Sequence, residues 1–163
     1  MSLGPIAEIT PDAVDNPMIE FREGIEMLKN EYPEKALPRL KRAFESDNRN
    51  AYYMSFLGLA IARAQRKWDK AAELCEMAIH LNPKEIQFRL NLGEVYALAG
   101  RREQALHTLD HAWKLFGDDT RLKQARSKVE NRRAPVLPFF GRGHLLNREL
   151  GKLRHRIWTK LGK

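Results

Sequence analysis

The chain has 163 residues, 43% of them hydrophobic and 31% charged, and a formal net charge of +8. That length sets the scale of one domain with tails, and the composition is that of a globular chain rather than a disordered one. No apolar run reaches the ~18 residues of a membrane-spanning helix, no basic-then-apolar leader is present, and a lone Cys75 forbids an internal disulfide framework. Together these features predict a cytoplasmic protein. The charge is unevenly placed: residues 1–117 carry a net −1 and residues 118–163 a net +9. Such asymmetry points to an acidic or anionic partner for the C-terminal third.

Residues 1–16 are polar, hold Pro5 and Pro11, and are expected to be disordered. A repeat follows. Gly24, Gly58 and Gly93 are spaced by 34 and 35 residues. Each is followed by two alanines seven apart: Ala36 and Ala43, Ala71 and Ala78, Ala105 and Ala112. The units close on turn signals at Ser46-Asp47-Asn48, Leu81-Asn82-Pro83 and Phe116-Gly117-Asp118. Residues seven apart share one helix face, so each unit reads as two antiparallel helices that touch through small side chains. A larger side chain at these places would push the two backbones apart. The residue before proline disfavours helical dihedrals, so Asn82-Pro83 ends a helix. The three units are residues 17–50, 51–85 and 86–118.

The segments "FLGLAIARAQRKWDKAAELCEMAIHLNP" and "LNLGEVYALAGRREQALHTLDHAWKLF" resemble tetratricopeptide repeats. That family's unit is ~34 residues, with a small residue in the first helix and two alanines in the second. The first unit, "FREGIEMLKNEYPEKALPRLKRAFESDN", is similar but departs at three places: Glu23 stands where an apolar residue is usual, Tyr32 is one place early, and Pro38 falls inside the second helix. Pro38 removes a backbone donor and should bend that helix or delay its start.

The resemblance implies an all-α fold, a right-handed superhelix of antiparallel helix pairs with three repeats and a capping helix. It also implies a concave groove lined by the first helix of each unit. The family's groove positions fall on Phe21, Ile25, Leu28 and Lys29, then Ser55, Leu59, Ala62 and Arg63, then Leu90, Glu94 and Ala97. This set is mostly apolar, so the implied ligand is an apolar peptide or helix of a protein partner. The implied role is a scaffold or adaptor, with a small chaperone for a client protein as a variant. Chaperone-binding members hold a C-terminal carboxylate with lysine, asparagine and arginine. At those positions this chain has Phe21, Ile25, Phe56, Gln87 and Asn91, and only the last keeps the type.

Asp118-Asp119-Thr120 supplies an N-cap for a capping helix over 119–132, which completes an array over 17–133. Leu122, Ala125 and Val129 recur at helical spacing within it. Residues 134–144, "APVLPFFGRGH", hold two prolines and two glycines and read as an apolar extended connector. Residues 145–163 read as a basic amphipathic helix. Leu146, Leu150, Leu153, Ile157 and Leu161 form its stripe, and Arg148, Lys152, Arg154, Arg156 and Lys160 its charged side. Such a helix suits an anionic membrane surface or nucleic acid. It also suits docking in the groove of its own array, or simple packing with the charges in water. The tail "PVLPFFGRGHLLNRELGKLRHRIW" resembles tails of bacterial repeat proteins, a likeness that carries no activity with it.

His107 and His111 are four apart on a helix, but two ligands do not make a structural metal site. Cys75 lies between Ala71 and Ala78 and reads as packing. Gly141-Arg142-Gly143 follows no strand, so it reads as a turn rather than a dinucleotide loop. No catalytic motif is present, so neither an enzyme nor a cofactor is expected.

Overall fold

A computed structural model of the chain describes residues 16–130. The expectations for residues 1–15, the connector 134–144 and the basic helix 145–163 lie outside the described residues. Among the described residues there are seven helices: α1 (Pro17–Lys29), α2 (Pro33–Ser46), α3 (Ala51–Gln65), α4 (Trp68–Leu81), α5 (Ile86–Ala99), α6 (Arg102–Phe116) and α7 (Thr120–Glu130). None is long and apolar enough to cross a membrane.

The odd-numbered helices share a way of starting. Asn16 accepts a hydrogen bond from the Met18 amide at 2.9 Å, and Asn50 from the amides of Tyr52 and Tyr53. Glu85 does the same for Gln87, and Asp119 for Arg121 at 2.7 Å. Each satisfies a donor that the first helical turn leaves open. Asn16 thus caps the first helix. Helices α2, α4 and α6 begin without a side-chain cap, because each follows its partner through a tight turn. Gly100 closes α5 at φ 80°, a left-handed value that glycine adopts without penalty. Pro38 does not delay α2, which begins at Pro33. Proline is tolerated at a first helical position, so Pro33 sets the start and Pro38 lies inside.

Consecutive helices pack as antiparallel pairs, and α1, α3, α5 and α7 also pack side by side along the array. The paired alanines Ala36, Ala43, Ala71, Ala78, Ala105 and Ala112 are all 0% exposed. Their small size is what lets the two helices of each pair approach. One apolar core runs from Leu28 to Val129. Helix α7 covers its end, with Leu122 and Val129 buried.

Polar groups that enter this core are paired. Glu20 is buried and accepts from Arg39 and Arg42 of α2, at 3.3 and 2.8 Å. Arg39 also pairs with Glu23, which explains an acidic residue at a place the repeat usually keeps apolar. Tyr96 donates to Glu76 at 2.6 Å, and burial with that carboxylate pushes its hydroxyl pKa up to about 12.

Cys75 is 0% exposed and lies against the Ser55 carbonyl at 3.5 Å. Burial pushes its thiol up to about 12, so at neutral pH it is held as the unreactive thiol. Native protein should therefore resist a thiol-exchange reagent, while urea-unfolded protein should react with one equivalent. Rapid native labelling would place Cys75 at the surface and contradict the helix pairing of α3 with α4.

Candidate functional site

The side-by-side packing of the odd-numbered helices creates one continuous face. Near its C-terminal end, a cleft of about 570 Å³ lies between α5 and α7. Leu90, Ala97 and Leu98 of α5 with Ala125 and Val129 of α7 give it an apolar floor. Its rim is polar: Arg63 from α3, Glu94 and Gln87 from α5, and Arg121, Gln124 and Lys128 from α7.

Two networks hold this rim. Arg63 donates through Nε and Nη2 to the same oxygen of Glu94, the Nε contact being 2.7 Å. Its Nη1 donates to the Leu28 carbonyl of α1 at 2.8 Å. That carbonyl lies in the last turn of α1, where a cation is favourable. The second network runs along the floor: Gln87 donates to Asn91, which donates to the hydroxyl of Ser55, both at 2.9 Å. Ser55 and Asn91 are buried, so these bonds are needed to offset their desolvation.

Glu85 sits at the same end. The Tyr52 hydroxyl, 2.5 Å away, holds its carboxyl below the usual range, helped by the Gln87 amide and the Arg121 charge. Arg121 is paired with Asp119 at 2.9 Å. No ion pair is formed by Lys128 among the described residues.

Of the sequence-predicted groove residues, Arg63, Leu90, Glu94 and Ala97 come together in this cleft. Leu28, Ser55, Leu59 and Ala62 are at most 5% exposed, so they form the wall behind the face rather than its accessible surface. Phe21 and Ile25 are half-buried on α1, and Lys29 is exposed and pairs with Glu26. The eleven residues therefore do not form one open apolar groove, and the accessible part carries more charge than the sequence suggested. His107 and His111 are exposed on α6, and among the described residues no group of three or more His, Cys, Asp or Glu side chains converges as metal ligands.

Residues 62–129, from the middle of the array through α7, match the family model of the tetratricopeptide repeat. The described residues have the tetratricopeptide-repeat fold, and residues 62–129 carry that repeat. Solved members of the fold superpose along most of the array. A thermophilic repeat protein of Thermus thermophilus has a TM-score of 0.62 at 22% identity, covering 72% of this chain and 66% of that one. The Sgt2 repeat domain of Aspergillus fumigatus gives 0.59 at 20% identity, covering 78% and 83%. The second repeat domain of human RPAP3, solved with an HSP70 peptide, gives 0.56 at 20% identity, covering 72% and 100%. At these identities the likeness is one of fold. No curated protein matches the sequence.

The tetratricopeptide frame also accounts for what the sequence reading missed. The sequence marks α7 as a cap by Asp119 and its apolar spacing, and no small-residue pair marks its cleft residues. Carrying the period of 34 one unit further from Gln87, Leu90 and Glu94 lands on Arg121, Gln124 and Lys128. These three line the cleft, so α7 is the first helix of a fourth unit as well as a cover. At the family's clamp positions, Phe21 and Phe56 meet edge to face at 5.4 Å, and Phe21 lies 4.8 Å from the Tyr53 ring. Aromatic packing occupies the place where clamp cations would stand.

Proposed function

We propose that this repeat protein holds a segment of a partner protein in the cleft between α5 and α7, acting as an adaptor or scaffold. The observation that carries this reading is the cleft itself: an accessible apolar floor ringed by polar side chains, of which Arg63, Glu94 and Gln87 are held by two hydrogen-bond networks. Its volume, about 570 Å³, lies in the range that takes several side chains of a ligand. Peptide complexes of similar folds support it, since human RPAP3 repeats are solved with an HSP70 peptide and yeast Sti1 repeats with an HSP90 peptide. Apolar side chains of the bound segment, extended or helical, sit on Leu90, Ala97, Leu98, Ala125 and Val129. A chaperone acting on a client protein would use the same surface.

Gln124→Trp tests this reading. Gln124 is exposed on α7, so the change fills the cleft mouth without touching the core. Proteins retained from the source lysate by the full chain should bind the variant at least about tenfold more weakly, with the melting temperature unchanged. Equal retention by both proteins would remove the cleft as the site.

A second reading rests on charge. Residues 131–163 hold nine Lys and Arg against one acidic residue, which favours attachment of this tail to an anionic surface, membrane or nucleic acid. Partners held in this way should be lost on deletion of 131–163 and released steeply by salt, whereas cleft partners survive both.

A further inference from the structure

Helix α7 brings three long polar side chains to the cleft. Arg121, Gln124 and Lys128 are three and four residues apart, so they form one stripe along the helix. Across the cleft lie Leu90, Glu94 and Ala97 of α5, which are four and three residues apart. A segment lying between the two helices meets hydrogen-bond donors on one side and a mainly apolar wall on the other. Among the described residues, Arg63, Arg121 and Lys128 are the cations that line the cleft, and Glu94 is its one lining carboxylate. Glu94 is already engaged by Arg63, and Arg121 by Asp119. Lys128 is left with no ion-pair partner among the described residues, and the cleft is net positive.

We propose that the cleft selects an acidic segment of a partner protein, with Asp or Glu side chains toward Arg121 and Lys128 and apolar side chains toward α5. The inference rests on the cleft being the partner-binding site. The chain's own residues 131–163, with nine basic residues and one acidic, carry the same sign of charge as these cations and match the cleft less well than an acidic segment does. The tail's charge adds long-range attraction for an acidic partner.

The experiment uses the full chain and two fluorescein-labelled peptides of about twelve residues. Both alternate leucine with a charged residue, glutamate in one and lysine in the other. Fluorescence anisotropy is read at low salt and at about 0.15 M salt. The glutamate peptide should bind about tenfold tighter than the lysine peptide, as expected for a few partly screened charge pairs. Lys128→Glu should remove most of that difference, and Gln124→Trp should remove binding of both peptides. Equal binding of both peptides, lost in Gln124→Trp, overturns the acidic preference and leaves the cleft as a partner site. A preference for glutamate that survives both Lys128→Glu and Arg121→Gln places the attraction in the tail and overturns the proposal. Binding of neither peptide overturns the proposal together with the reading beneath it.

Discussion

Phe88→Ala is expected to lower the free energy of unfolding by about 3–5 kcal/mol, the range for emptying the site of a fully buried aromatic ring. Phe88 is 0% exposed at the start of α5. It packs with Met54 of α3 and Ala78 of α4, and its ring meets Tyr52 edge to face at 4.9 Å. Three helices from two repeats therefore converge on one side chain. Met54 and Ala78 are themselves buried, so neither is free to refill the space. Phe88→Leu should lose less, about 1.5 kcal/mol, because most of the volume is kept. Urea unfolding followed by circular dichroism measures both. A loss below about 1 kcal/mol for the alanine variant would mean that the joint between the second and third repeats collapses easily, contrary to the packing described.

Gly58→Ala should cost about 2 kcal/mol, although alanine is intrinsically better than glycine in a helix by about 1 kcal/mol. An added Cβ at Gly58 would stand 2.7 Å from the Ala71 carbonyl oxygen and 2.9 Å from the Cys75 sulfur. The carbonyl belongs to the α4 backbone, so relief requires moving a helix. At Gly93 the nearest atoms are the Leu109 Cδ2 and Cγ, at 3.0 and 3.1 Å, and a leucine side chain can shift. Gly93→Ala should therefore fall within about 1 kcal/mol of the parent, with propensity offsetting the crowding. Equal losses at the two positions would show that α3 and α4 are no more tightly apposed than α5 and α6.

These two glycines are equivalent in the sequence repeat and unequal in the structure. Period and residue type placed all the helix pairs, because small residues at fixed spacing are a direct imprint of close backbone approach. The alanine pairs were legible for the same reason, and their complete burial follows. The distance from a glycine to the opposite backbone depends on how each pair tilts, and no repeat pattern encodes that. The residues that line the cleft were legible only in part. Arg63, Leu90, Glu94 and Ala97 were found by register. Leu28, Ser55, Leu59 and Ala62 share that register, but they lie beneath the neighbouring first helix, and burial between adjacent repeats is a tertiary property. Helix α7 was recognised by its cap and apolar spacing, while its stripe of Arg121, Gln124 and Lys128 went unread. No glycine or alanine pair marked it as a further unit, since Ser127 stands where the period calls for the glycine.

The Arg63 bridge has a mechanical consequence. A repeat array bends as a rod whose curvature is the sum of small rotations between successive units. Arg63 reaches from the middle unit to the carbonyl end of α1 on one side and to Glu94 of α5 on the other. One planar guanidinium thus spans two successive joints, and neither can open freely while the other stays closed. The bridge makes the front half of the rod stiffer than nearest-neighbour packing alone would, and it ties the width of the cleft mouth to the tilt of the first helix.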